Sequence, residues 1–409
     1  MSTNDYQVLI VGGGLVGASL AVALGQAGVS VAVVEAAPFA SGGQPGYDDR
    51  SLALAQGSQR IFTGLGVWSA LEPQVCPIRT IHVSDRGRFG FTRLRHDEEG
   101  VPALGYVVTA RVLGGVLVER LAQLDRVEIL APAQVRDFHI AADGVSVELD
   151  RDGAAHATGA DLLVAADGTD STIREQLGIE TVRRDYGQTA VIANLTPQLP
   201  HDNVAYERFT DSGPMALLPM TENRCALVWT VPAAQADEVM QLDDDDFLAR
   251  VQERFGYRLG RLQKVGRRHA YPLQLVRARE SVRPRLALIG NAMHTLHPIA
   301  GQGFNLGLRD VAALAEVVVD ALHAGRDCGD PVVLKGYADW RHRDQQRVML
   351  FTDSLVRLFT QPLAPVALLR DAGMLAMDLC PPAKRWFARL TMGRAGRLPR
   401  LARGLPLSS

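Results

Sequence analysis

The stretch from Tyr6 to Glu35 restricts the fold more than any other part of the chain. Residues 6–11 are an apolar run of strand length, and Gly12-Gly13-Gly14-Leu15-Val16-Gly17 follows as a GxGxxG pattern. Residues 15–27 have helical character, Gly28 stops the helix, and Val29–Val34 is a second β-branched run that ends at Glu35. Strand, glycine turn, helix and strand make the opening of a Rossmann-type unit. The three glycines of the pattern act differently. Gly12 permits the tight turn, Gly14 lets the backbone approach a pyrophosphate, and Gly17 lets helix and strand pack closely. The free N–H groups and dipole of the helix N-terminus favour the phosphates. Glu35 can accept hydrogen bonds from both ribose hydroxyls and would repel a 2′-phosphate. This pattern points to a dinucleotide without choosing FAD over NAD.

Two later segments have the same strand-to-turn character. Leu162–Ala166 is a buried run that ends in Asp167-Gly168, with Ser171 and Arg174 opening a helix; a plain strand-to-helix turn reads equally well there. Arg285–Ile289 is another buried run. It leads into Gly290-Asn291 and a loop, Leu296-His297-Pro298-Ile299-Ala300-Gly301-Gln302-Gly303, that opens a long helix near Phe304. Such a loop sets a row of backbone N–H groups against an anionic ring edge. Between them, residues 181–279 change to short strand-like runs broken by Pro and Gly. The expected organisation is a discontinuous nucleotide-binding domain (1–75, 103–180, 281–345), a β-sheet substrate domain (76–102, 181–280) and a helical basic C-terminal region (346–409).

A chain of 409 residues exceeds one ordinary core, which agrees with that division. Lys and Arg number 43 and Asp and Glu 45, for a net charge of −2, so no global field draws the chain to nucleic acid. The four cysteines are far apart, with no metal-ligand spacing, and read as small apolar side chains. The apolar run from Val8 follows Asp5 and no Lys or Arg, unlike a secretory signal. No uncharged stretch without Gly or Pro breaks spans a bilayer. The expectation is a cytoplasmic protein, with contact to the inner membrane face left open.

The order GxGxxG, Asp-Gly, then a Gly-Asn turn with a Pro-containing glycine loop resembles the FAD-dependent aromatic hydroxylases of the para-hydroxybenzoate hydroxylase type, over roughly residues 5–350. The run 296–310, together with His82-Val83-Ser84-Asp85-Arg86-Gly87, is similar to the ubiquinone-biosynthesis subgroup. The resemblance implies an α/β fold with a Rossmann-type FAD-binding domain and an inserted β-sheet domain. It implies FAD contacts from Gly12, Gly14, Leu15, Val16, Gly17, Glu35, Ala36 and Val135. Further contacts are implied from Arg50 within Asp48–Leu54, from Arg111, and from Asp167, Gly168, Gly290 and Asn291. Pro298, Gly301, Gly303, Phe304 and Asn305 complete the set. Asn291 departs from the usual Asp; its amide oxygen still accepts a ribityl hydroxyl but carries no charge.

The resemblance also implies a reaction. NAD(P)H reduces FAD, O2 adds to give a flavin C4a-hydroperoxide, and an electrophilic oxygen passes to a polyprenylated phenol of the 2-octaprenyl-6-methoxyphenol type. Pro298, His297, Gly301, Gln302 and Gly303 are the expected catalytic surroundings, with His297 read more readily as a loop brace than as a proton carrier. Met215, Leu217 and Pro219 on the run 214–219 are the expected apolar substrate wall, with an ordinary buried strand as the alternative. A base for the phenol is expected but unidentified. Residues 384–403 carry basic residues interleaved with Trp386, Phe387, Leu390 and Leu398 and no acid. They suit anionic lipid, a partner enzyme of ubiquinone biosynthesis, or packing on the protein itself. Two other functions stay open: a flavin-dependent prenyl reductase, and a prenyl-lipid escort without catalysis.

Overall fold

The computed structural model describes residues 4–39, 50–360 and 364–407; Asp48 and Asp49 of the Arg50 motif lie outside the described residues. Tyr6–Val11 sits in the middle of an eight-stranded sheet. It pairs in parallel with Val31–Val34 on one side and with Ala154–Ala165 on the other, which in turn pairs with Leu286–Leu288. Val8, Leu9 and Ile10 have no exposure at all. A parallel strand covered on both faces must be apolar at every position, which explains a run with no alternation. The helices Leu15–Gln26 and Gln302–His323 cover one face. Val16 meets the spaces left by Gly290 and Gly307, so the glycine turn, the second nucleotide turn and the long helix are packed as one unit.

A nine-stranded sheet forms the second layer. Its central strands are Thr181–Pro197, Arg224–Pro232, Gly213–Met220 and Val204–Thr210, and it is extended by Thr80–Asp85 and Phe91–Arg95. One face packs on the helix Asp244–Phe255 through Met215, Leu217, Trp229 and Phe247. Asp243 caps that helix by accepting from the Asp246 N–H at 2.8 Å, with Asp244 to Asp246 in the first turn, so the acidic run is a helix start. Cys76–Ile78 departs from the expected division: it pairs with Gly105–Thr109, as does Ser51–Ala55, in a separate three-stranded sheet. The boundary at 346 falls inside a continuous helix, Pro331–Thr360. Cys76, Cys225 and Cys328 are buried, whereas Cys380 is exposed. Among the described residues no helix is long and apolar enough to cross a membrane.

Candidate active site

The first glycine turn is built by exclusion. Gly12 has φ +104°, and a Cβ there would stand 2.5 Å from the Ala166 carbonyl oxygen; one on Gly17 would collide with the Gly12 carbonyl. Gly14 differs, because a Cβ there would meet no protein atom within 4 Å. Its restriction comes from what must pass over it. Gly14 is also the N-cap of Leu15–Gln26, and no side chain caps that end, so its first N–H groups face open space. Glu35 accepts from the Gly13 N–H at 2.7 Å and the Ala37 N–H at 3.0 Å. That uses part of a carboxylate's acceptor capacity and leaves room for ribose hydroxyls. Ala36 is exposed beside it. Ala133 donates to the Glu35 carbonyl, which brings the start of the Val135 strand to the same end of the sheet.

The second turn has a double role. Asp167 Oδ2 accepts from Thr172 Oγ1 and the Ile173 N–H, each at 3.3 Å, which is the helix-start reading. Its Oδ1 is buried and has no partner among the described residues. Arg174, buried, donates to the carbonyls of Ala292 and Thr169 at 2.7 Å each and ties the second and third turns together. Gly301 adopts the left-handed conformation at φ +60° and starts the long helix, again with no side-chain cap. A Cβ on Gly303 would meet nothing within 4 Å. Open glycines at two uncapped helix starts and an orphaned buried carboxylate oxygen are the features a pyrophosphate, a ribityl chain and an anionic ring edge require. The residues present fit FAD.

Asn305 has its side chain committed to the loop itself. Its Oδ1 accepts from the Ala55 N–H at 2.8 Å and Ser58 Oγ at 2.7 Å, and its Nδ2 donates to the carbonyls of Ala53 at 2.8 Å and Gly301 at 2.6 Å. All four polar valences of the amide are spent, so the side chain braces the loop against Ser51–Ala55, and contact with the cofactor is left to the backbone of Asn305 on the cavity lining. His294 and Asp310 form a second brace. Asp310 accepts from His294 at 2.7 Å, the Gly290 N–H at 3.2 Å, Arg341 Nε at 2.8 Å and Gln345 at 3.0 Å. Burial alone would raise this carboxyl, but His294 and Arg341 outweigh it and hold Asp310 well below the usual carboxylate range. The partners Arg341 and Gln345 come from a distant helix and carry no motif of their own.

One cavity of about 1230 Å³ joins these turns to the nine-stranded sheet. Gly14, Leu15, Val16, Arg50, Gly168, Gly290 and Asn291 line its nucleotide end; His297, Pro298, Gly301, Gln302, Gly303 and Phe304 line its middle. The Arg50 guanidinium lies 5.4 Å from the centre of the Tyr271 ring. Arg111 is exposed on a smaller pocket of about 500 Å³ and is not part of this lining. The expected wall strand is present, but by its alternate residues. Pro214, Ala216 and Leu218 face the cavity, whereas Met215 and Leu217 are fully buried against the helix Asp244–Phe255, and Pro219 also lies off the lining. Side chains alternate along a strand, so a one-residue change of register exchanges the faces.

His297 is buried, and its Nδ1 accepts from the Ile299 N–H at 3.2 Å. Its proton therefore sits on Nε2, which has no partner among the described residues. Burial pushes its pKa down to about 4, so at neutral pH it is an uncharged donor at the cavity wall and not a proton carrier. Glu207, on Val204–Thr210, also lines the cavity and was missed. Its signal was a lone acid at an alternate position of a strand, which ordinarily reads as solvent-facing.

Comparison with known proteins agrees with this geometry. A family model described as FAD binding domain matches residues 5–352. The chain is 42% identical to the Ubiquinone hydroxylase UbiL of Rhodospirillum rubrum, over 98% of this chain and 93% of that one. It is 32% identical to the 3-demethoxyubiquinol 3-hydroxylase of Escherichia coli, over 96% of this chain and 100% of that one. In fold it is similar to p-nitrophenol 4-monooxygenase PnpA from Pseudomonas putida DLL-E4, with a TM-score of 0.81 at 19% identity, covering 97% of this chain and 100% of that one. The chain belongs to the FAD binding domain family, and it is a flavoprotein monooxygenase of the branch that includes the ubiquinone hydroxylases.

Proposed function

We propose that this protein hydroxylates a polyprenylated phenol, of the 2-octaprenyl-6-methoxyphenol type, in ubiquinone biosynthesis, with NAD(P)H as reductant and O2 as oxygen source. The observation that carries this reading is the single cavity in which the FAD cradle opens onto an apolar floor. When bound, FAD takes electrons from NAD(P)H and activates O2 for transfer to the ring. The chain's own residues bind, orient and keep water out. The backbone of Gly301 to Gly303, at a helix start, would hold the anionic edge of the ring. Ile192, Ala216, Leu218 and Val228 form a floor that a phenol and its prenyl tail can cover. The names of the relatives support the substrate class. A prenyl reductase would share the cradle, and product mass separates the two.

The test is oxidation of NAD(P)H by purified protein with and without a prenylated methoxyphenol, with mass analysis of the product. The expected result is faster oxidation with substrate and a product heavier by one oxygen. Equal consumption in both cases, with no oxygen incorporated, contradicts the reading. Ala216→Trp sharpens it by filling the floor: FAD should remain bound while product per NAD(P)H falls roughly tenfold or more, since overfilling a packed site displaces the ring.

We also propose that the C-terminal face rests on anionic lipid. Leu368, Leu369, Leu379 and Trp386 are exposed there, beside exposed Arg385 and Arg389. The basic stretch is only partly available. Lys384 pairs with Glu98 at 2.9 Å and Asp378 at 3.4 Å, Arg400 pairs with Glu316 and Asp320, and Arg397 lies over Trp340. Co-sedimentation with phosphatidylglycerol vesicles should exceed that with phosphatidylcholine vesicles and weaken with salt. Trp386→Glu with Leu379→Glu should abolish it. Failure of the unaltered protein to pellet with either vesicle overturns the proposal and leaves a partner protein for this face.

A further inference from the structure

The cavity floor carries one acid. Alternation puts Ala205, Glu207 and Phe209 on the cavity side of Val204–Thr210, and register sets Glu207 between Val83 and Ala216. Both neighbours are apolar. Glu207 is enclosed by protein yet half-buried, because its exposure is to the cavity itself. Among the described residues it has no hydrogen bond or ion pair. Phe209, two positions along, packs on Ile299 of the flavin-side loop, which sets Glu207 about 7 Å further along the strand.

Among the described residues no charged group acts on it measurably, and burial is the one influence on its ionisation. Gly213–Met220 bears no titratable side chain. Asp85, at the end of the other neighbouring strand, is paired with Arg370, which reaches it from the opposite wall. His82 and Arg208 project from the other face of the sheet, Asp170 on the rim is paired with Arg183 at 3.2 Å, and His297 across the cavity is neutral. A carboxylate that faces only the cavity loses its water when a ligand fills that space, which is costly unless the ligand brings a donor. The substrate class proposed above brings one, its ring hydroxyl, while its tail covers the apolar remainder of the floor.

We propose that Glu207 binds the hydroxyl of the phenol and accepts its proton as the ring is attacked. The O–H bond breaks, the proton goes to the Glu207 carboxylate, and the electron pair stays on the phenol oxygen and feeds the ring carbon that forms the new C–O bond, while the O–O bond of the O2-derived donor breaks and its other oxygen takes that electron pair and leaves as water. That carbon then loses its hydrogen as a proton to solvent, and Glu207 returns its own proton to the phenol oxygen, which balances the step. Burial pushes Glu207 up to about 7, near the working pH at which a general base is most effective. The assignment rests on the phenol-hydroxylase reading.

The test uses the FAD-loaded protein with Glu207→Gln and Glu207→Asp. In the oxidised enzyme, without NAD(P)H, affinity for the phenol and for its O-methyl ether is read from perturbation of the flavin spectrum. The unaltered protein should prefer the phenol on the order of tenfold, and more above pH 7 than below. Glu207→Gln should lose that preference. With NAD(P)H, hydroxylation in Glu207→Gln should fall on the order of 100-fold or more and lose its rise with pH near neutrality, and Glu207→Asp should recover part of both. If the unaltered protein hydroxylates while Glu207→Gln keeps its rate, pH profile and preference for the phenol, the role of Glu207 is overturned and the hydroxylase reading stands. If the unaltered protein hydroxylates no phenol, the underlying reading fails first.

Discussion

Gly14→Val should give a folded, colourless protein. A Cβ at this position meets no protein atom within 4 Å, so the chain tolerates the side chain. The space it fills is the approach to the uncapped start of Leu15–Gln26, where the pyrophosphate must pass. The expected loss of FAD affinity is at least on the order of 100-fold, or ~3 kcal/mol. It is read as the flavin absorbance retained after purification, with circular dichroism reporting an intact fold. Gly17→Ala is the opposite case. Its methyl group collides with the Gly12 carbonyl, so that variant should lose the fold and the cofactor together. A yellow, stable Gly14→Val protein would mean that the nucleotide lies elsewhere.

Asp310→Ala should destabilise the protein strongly while leaving the turn glycines intact. It removes an acceptor from four donors at once: the Gly290 N–H, His294, Arg341 and Gln345. Arg341 keeps Asp344 at 2.5 Å, but the rest are left buried without a partner. Breaking a buried ionic cluster in this way costs about 3–5 kcal/mol, measurable from urea unfolding at pH 7. The folded carboxyl titrates below its unfolded range. Its contribution is therefore fully present above the unfolded pKa and is lost as pH falls through the folded value, so a measurement at pH 7 sees all of it. A loss under about 1 kcal/mol would show that the cluster is not what holds the Gly290 turn.

The nucleotide half of the fold was legible in the sequence because its requirements are local. Gly12 and Gly17 are excluded from bearing side chains by backbone a few residues away or on the adjacent strand, and a parallel strand covered on both faces has to be apolar throughout. The substrate half was legible as strands but not as faces. Residues 214–219 are apolar on both sides, one against the helix Asp244–Phe255 and one against the cavity. Nothing in a period of two says which side is which, and Met215 and Leu217 were assigned to the wrong one. The bracing role of the Asn305 side chain was not legible because its bonds run to Ala53, Ala55 and Ser58, about 250 residues away in the chain. Glu207 was invisible for a different reason. An acid in an alternating strand signals bulk water, and only the assembled sheet turns that face toward the cavity.

The most direct measurement is a titration of the purified, oxidised flavoprotein with a prenylated methoxyphenol, followed in the visible absorption of the bound flavin. Saturable perturbation of the flavin bands is expected, because ring and cofactor share one cavity, and Ala216→Trp should suppress it while leaving the flavin in place. Saturable binding of the phenol with an unperturbed flavin spectrum, or a perturbation untouched by Ala216→Trp, would place the substrate away from that floor and contradict the shared cavity on which the proposed reaction depends.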